Sequence, residues 1–257
     1  MPSMPVRAVL LCALTVLLAS CATAPHTQRS QFIVIPRSKA VAMGNQAAQE
    51  IKQKEPVSQD PALVNRVQRI GNRIAAQTDT DYEWEFNVIE KDVPNAFALP
   101  GGKVFVYEGL MDMTDSDDEL ATVIAHEIAH ALARHGAERM SVQLGASMVG
   151  QAAGMALGLE NPMVARTFQQ AYGMASQVGV ILPYSRTQEY EADHIGLILM
   201  AKGGYDPEAA LGFWRKMMEL DKGKAPPAWL STHPPSPERL DEIQQQLPVV
   251  KGKYYRK

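Results

Sequence analysis

Between Leu120 and Leu132 the chain reads Leu-Ala-Thr-Val-Ile-Ala-His-Glu-Ile-Ala-His-Ala-Leu, an alanine-rich apolar run broken by three ionisable side chains. Such a composition favours helix. Burying two imidazoles and a carboxylate inside that helix costs free energy unless something pairs them. His126 and His130 stand four residues apart, so a helix sets them on one face about one turn from each other, within reach of a single ion. The segment is an H-E-x-x-H pattern, and an ion held by the two histidines would have Glu127 beside it, where that carboxylate can take a proton from water as a general base. A fold that carries it must bury this helix and bring a further ligand to it, because a catalytic zinc takes three protein ligands and keeps one position open.

The same helix does not supply that ligand. A downstream histidine of the metzincin kind needs Gly at 133 and His at 136, whereas the chain has Ala133 and Gly136. His135 lies nine residues after His126, which on a continuous helix turns it to the opposite face. It is expected as a surface histidine near a helix C-terminus, where positive charge is favoured. The stretch from Tyr184 to Gly196 offers carboxylates instead. Glu189 and Asp193 are four apart on a predicted helix, so one can bind the metal while the other, a turn away, accepts the free N–H of a ligand histidine.

Four motifs in one order resemble the HtpX, Oma and CAAX-prenyl-protease family of zinc metallopeptidases, which share the Glu-x-x-x-Asp arrangement of the gluzincins. They are Asn95-Ala-Phe-Ala-Leu-Pro-Gly-Gly102, the helix from Glu119 to His130, Ser185-Arg186 through Asp193 to Gly196, and His233-Pro234 with Arg239. The resemblance implies His126, His130 and Glu189 as ligands of one zinc ion per chain, with Asp193 behind them. Glu191, about 200° round the helix from Glu189, is expected to be solvated or ion-paired, and His194 is given no role. His233 is implied as an oxyanion stabiliser or an inhibitory fourth ligand, and Arg239 as a residue that orients substrate or a carboxylate. A strand at Asn95, Ala96, Phe97 and Ala98 is implied as an edge that receives an extended polypeptide, since an exposed edge offers unpaired N–H and C=O groups. The expected activity is endoproteolysis of unfolded or misfolded proteins. The alternative is a zinc-stabilised holdase whose fourth coordination position stays filled by His233.

Around these motifs the expected fold is α+β and mostly helical, a gluzincin-type metallopeptidase domain with a small antiparallel sheet of about three strands beside the H-E-x-x-H helix. Strands are expected over 84–89, 96–99 and 103–107, with Pro100-Gly101-Gly102 as a hairpin turn. Helices are expected over 38–54, 60–78, 117–139, 141–157, 161–178, 186–202, 206–220 and 235–247, with Ser38 and Asp60 as N-caps. The glycine- and alanine-rich stretch 144–182 is interrupted by Gln151, Glu160, Asn161 and Arg166, so every window falls short of a membrane span. Two packed helices or a mobile lid are expected there. Many relatives carry several spanning helices, and without them prenylated substrates are not expected.

The start of the chain points to a location. Arg7 precedes an apolar stretch from Ala8 to Ala19, too short for a mature spanning helix, and Leu18-Ala19-Ser20-Cys21 resembles a bacterial lipobox. Residues 1–20 are therefore expected to be a lipoprotein signal peptide, Cys21 the lipidated first residue, 21–37 a flexible tether, and 38–257 one metallopeptidase domain. Ala22 after the cysteine favours, by resemblance, the inner face of the outer membrane, and hence the periplasm. Of the two cysteines, Cys12 lies in the signal, so no internal disulfide is expected. With 25 basic and 28 acidic residues there is no basic excess to suggest nucleic acid. The expected partners are unfolded or misfolded envelope proteins, the membrane surface through Cys21, and envelope assembly machinery.

Overall fold

Lys103–Tyr107 is a near-continuous apolar run, and a strand of that kind is stable where both of its faces are covered. All five of its residues are buried, and it forms β5, the central strand of a three-stranded sheet. The computed structural model describes residues 21–25, 27–156, 184–221 and 228–256. In it β3 (Glu85–Ile89) runs parallel to β5, with Glu85 opposite Lys103, while β4 (Ala96–Leu99) runs antiparallel on the other side, with Ala96 opposite Val106. The expected all-antiparallel sheet is therefore corrected to a mixed one. Alternation reports which face a side chain takes and is blind to strand order, so the insertion of β5 between its two predecessors leaves no trace in the pattern. The turn at Gly101 and Gly102 has φ of 91° and 87°, a region open to glycine at little cost.

The two faces of the sheet carry different layers. Val104 and Val106 point with Phe86 and Val88 into the main core, against α2 (Pro61–Ala75) and α4 (Asp117–Leu132). Phe105 and Tyr107 point the other way, with Phe97 and Leu99, against Ala47, Ala48 and Ile51 of α1 (Arg37–Lys54). Asp60 caps α2 by accepting from Ala62 N–H, and Pro61 takes the first helical position. Ser38 is not a cap, because α1 begins at Arg37 after Pro36. A short α3 (Glu108–Met111) follows β5 directly.

In α4 the side chain of Ser116 accepts from Glu119 N–H, and Asp117, Asp118 and Glu119 fill the first turn, where negative charge is favoured. Every residue from Leu120 to Ala131 is buried. The helix expected over 117–139 is broken. Arg134 adopts φ 55°, α4 ends at Leu132, and α5 (His135–Ala156) starts in a new direction. Around α4 lie α6 (Arg186–Lys202), opened by a Ser185–Gln188 capping box, then α7 (Ala209–Asp221), α8 (Ala228–Thr232) and α9 (Pro237–Tyr254). Gly196 of α6 faces the backbone of α4, where a Cβ would sit 3.2 Å from His126 N. The last helix passes the expected end at 247 and carries Pro248 inside it, held by the buried Leu247 and Val250.

Residues 21–37 are not a loose tether. Cys21–Thr23 (β1) and Ser30–Phe32 (β2) pair as an antiparallel hairpin, and Ile33 packs with Ala40 and Ala137. The low apolar content that suggested flexibility hid polar side chains spent on buried partners, among them Gln31 Nε2 donating to Ala133 O at 2.6 Å. The helix expected over 161–178 lies outside the described residues. Among the described residues no helix is long and apolar enough to cross a membrane.

Candidate metal centre

His126 and His130 are presented by α4, Glu189 by the first turn of α6, and His233 by the end of α8. One donor atom from each of the four lies within 4.8 Å of the others, and all four residues are buried. His126 Nε2 is 3.0 Å from His130 Nε2 and 3.1 Å from His233 Nδ1. Glu189 stands 3.5 Å from His126 Nε2, 3.3 Å from His130 Nε2 and 3.1 Å from His233 Nδ1. Donors placed about 2.0 to 2.1 Å from one cation in a tetrahedron are about 3.3 Å apart, so these separations have the size of a tetrahedral shell. Three imidazoles and a carboxylate form a donor set that suits a borderline divalent ion. A proton satisfies only one pair of such nitrogens, whereas a cation satisfies the whole convergence.

The electrostatics agree. Burial opposes charge on His126, but Asp193 and Glu189 more than offset it and push its pKa up to about 9. Burial, reinforced by His126 and His135 against the opposing pull of Glu189, holds His130 well below the usual histidine value. Burial pushes the Glu189 carboxyl up, yet His233 and Arg239 outweigh it and keep Glu189 ionised far below the usual range. The cluster thus concentrates lone pairs and negative charge at a buried point, which a cation relieves.

The surrounding shell is ordered. Asp193 Oδ1 lies 3.0 Å from His126 Nδ1, the relation a carboxylate takes when it fixes the tautomer of a ligand histidine. Arg239 is 2% exposed and donates twice to Asp193 at 2.8 Å, reaches Glu189 Oε2 at 2.7 Å, and lies 3.7 Å from the Trp214 ring centre. Arg239 thus bridges the carboxylates of Asp193 and Glu189. Glu127 accepts from Trp229 Nε1 at 3.0 Å through Oε1, while its Oε2 is buried without a hydrogen-bond partner among the described residues. His233 Nε2 is 3.5 Å from Glu127 Oε1. Asn95 O accepts from Tyr107 N–H, and Ala96, Phe97 and Ala98 follow it into β4, which lies along α4 with one side paired to β5.

One expectation needs correction. His135 is fully buried rather than on the surface, because the break at Arg134 swings it back until its Nδ1 is 2.8 Å from His130 Nδ1. Glu191 takes the ion-paired one of the two states expected for it, buried against Arg29 and His135. Burial alone raises its pKa, yet His135, Thr27 and Arg29 outweigh that and bring it down to about 2. His194 bonds Gln246 at 2.8 Å, away from the cluster. Two neighbours were given no role in advance: Trp229, and Tyr184, whose ring stacks on His130 at 3.9 Å. Lone aromatic residues outside a periodic run show no partner until the chain is folded.

Comparison with known proteins agrees with the geometry. The family model described as peptidase family M48 matches residues 61–247. The mitochondrial metalloendopeptidase OMA1 of Schizosaccharomyces pombe is 42% identical over 190 residues, covering 73% of this chain and 54% of that protein. Its namesake in Saccharomyces cerevisiae is 32% identical over 254 residues, covering 90% and 70%. The beta-barrel assembly-enhancing protease of Yersinia pestis is 30% identical over 232 residues, covering 88% and 48%. The chain spans about half the length of the first and third of these relatives. A buried H-E-x-x-H helix, a converging glutamate from a second helix and a model match over most of the chain lead to one assignment: this protein belongs to peptidase family M48.

Proposed function

We propose that the chain is a zinc-dependent endopeptidase, with the metal held by His126, His130 and Glu189 and with Glu127 as general base. The observation that carries the proposal is the buried convergence of those donors beside a glutamate oxygen left without a partner. Zinc bound there supplies Lewis acidity, which lowers the pKa of water and polarises a peptide carbonyl. The chain supplies the rest. Trp229 fixes Glu127 through Oε1, so the free Oε2 is the atom that takes a proton from water and returns it to the departing amine. Asp193 and Arg239 hold His126 and Glu189 in place. Substrate backbone adds to the outer edge of β4 at Asn95, Ala96, Phe97 and Ala98, a mode that requires an extended and therefore unfolded segment.

His233 gives a second reading its support. Its Nδ1 stands with the other donors, in the place that water needs. As a fixed fourth ligand it makes the protein a zinc-stabilised holdase; as a movable one it makes the protein a peptidase with a resting state. Incubation of the intact chain with casein, with and without a zinc chelator, beside His233→Ala separates the two. Fragments that vanish with chelator support the peptidase, with His233→Ala faster than the parent if the ligand is inhibitory and slower if it stabilises the oxyanion. Casein binding with no fragments from either protein at any zinc level supports the holdase.

The targets we favour are unfolded or misfolded envelope proteins, met at envelope assembly machinery on the inner face of the outer membrane. Leu18-Ala19-Ser20-Cys21 supports anchoring there through an acylated Cys21. Incorporation of labelled palmitate that is lost in Cys21→Ser tests it, and a chain that is exported without label refutes it.

A further inference from the structure

The hairpin of β1 and β2 and the buried His135 meet behind His130. His135 Nε2 lies 2.9 Å from Glu191 Oε2, and its Nδ1 lies 2.8 Å from His130 Nδ1. Proton placement follows from the carboxylate end. An ionised Glu191 only accepts, so His135 Nε2 carries the hydrogen, and in neutral His135 the other nitrogen accepts. The donor to it is then His130 Nδ1–H, which leaves the lone pair of His130 on Nε2, the nitrogen that faces His126 and Glu189. Each link selects the tautomer of the next, and the last is the one a metal requires.

Glu191 is held in turn from the hairpin. Arg29 Nε donates to its Oε2 at 2.8 Å, and the Thr27 hydroxyl reaches its Oε1. The same guanidinium makes a fork to Glu138 of α5, with both contacts at 2.7 Å. Gln31 holds the Ala133 carbonyl at the end of α4, and Arg134 donates to Ile35 O at 3.1 Å. The hairpin therefore grips the corner between α4 and α5 from which His135 projects.

We propose that the N-terminal hairpin positions His130 for metal binding through the relay Arg29, Glu191 and His135, so that docking of the hairpin sets the affinity of the site. The proposal rests on the metal-site reading above. A single carboxylate, Asp193, serves His126, whereas the relay behind His130 runs to a segment outside the family match at 61–247. Arg29 and His135 are positioning residues; neither touches the reacting atoms.

The test is a competition titration of the metal-stripped full chain with zinc against a fluorescent chelator, paired with visible absorption of the cobalt(II)-loaded protein. Outer partners of ligand histidines are worth about tenfold to a hundredfold in metal affinity, so His135→Ala should lose that much and show an altered cobalt spectrum. Arg29→Ala, at a partly exposed position that leaves the core intact, should lose affinity at the lower end of that range, about tenfold. His135→Gln, whose amide can donate to Glu191 and accept from His130, should recover part of the loss. Arg66→Ala, which removes an ion pair to Asp117 elsewhere, should bind like the parent. Parent affinity in folded Arg29→Ala overturns the proposal, as does an equal loss in His135→Ala and His135→Gln, which would assign the effect to packing. A parent chain that binds no zinc overturns the metal-site reading itself, which distinguishes the two failures.

Discussion

Glu127 has one oxygen anchored and one free, and the distinction predicts how two substitutions at this corner differ. Glu127→Gln keeps the shape and the Trp229 contact but cannot accept a proton. It should bind zinc with parent affinity while casein cleavage falls by about 10²- to 10⁴-fold, the usual worth of a general base. Cleavage at the parent rate would refute the base assignment. Trp229→Phe removes the indole N–H, and a hydrogen bond to a charged group is worth about 1.5 to 3 kcal/mol. Its kcat should drop about tenfold or more, with zinc affinity unchanged and KM little affected. A raised KM at constant kcat would instead mean that Trp229 shapes the substrate site. At this scale the sequence was most informative where residues share one helix. The pairs His126/His130 and Glu189/Asp193 are legible because a four-residue spacing fixes a shared face whatever the rest of the chain does. Trp229 and His135 were illegible because their partners are 102 and 5 residues away across a turn that no residue type announces.

At the scale of elements, the site depends on how close α6 comes to α4. Gly196 permits that approach, since a Cβ there would lie 3.2 Å from His126 N and 3.3 Å from Ala125 C. Alanine in a helix gains about 1 kcal/mol over glycine, whereas forcing a methyl into packed backbone costs about 1 to 3 kcal/mol. The packing cost wins, so Gly196→Ala should lower the urea midpoint. It should also weaken zinc binding, because Glu189 and His126 sit on the two helices being parted. Gly212 of α7 is the contrast. A Cβ there meets only Glu119 Oε1 at 3.9 Å, so Gly212→Ala should raise stability by about 0.5 to 1 kcal/mol and leave zinc affinity alone. A gain in both variants would show that the interface relaxes freely. The helices expected over 38–54, 60–78, 186–202, 206–220 and 235–247 were read from their periodicity, with Asp60 as a true cap and Ser38 not one. The order of the strands and the break at Arg134 were not, since both depend on what each segment packs against.

For the molecule as a whole, the N-terminal hairpin is an integral part of the body, and its docking has a pH signature. Glu138 is 8% exposed; burial raises its pKa, but Arg29, Gln188 and Gln31 outweigh this and hold it below the usual glutamate range. A carboxyl with a depressed folded pKa contributes stability that is fully present above its unfolded value and is lost as pH falls through the folded one. The melting temperature of the parent should therefore fall as pH drops below about 4.5, and that of Glu138→Gln should fall less steeply over the same range. Parallel curves would mean that Glu138 titrates alike in both states. What the amino-acid order determined by itself was local. It set most of the helical stretches and the faces on which the histidine and carboxylate pairs stand, because short-range geometry follows from residue spacing. Tertiary structure alone decided that β5 takes the centre of the sheet, that a supposed tether closes over the corner of α4 and α5, and that His135 and Trp229 reach the centre. Those outcomes depend on desolvation and on contacts between distant segments, and neither exists until the chain has closed on itself.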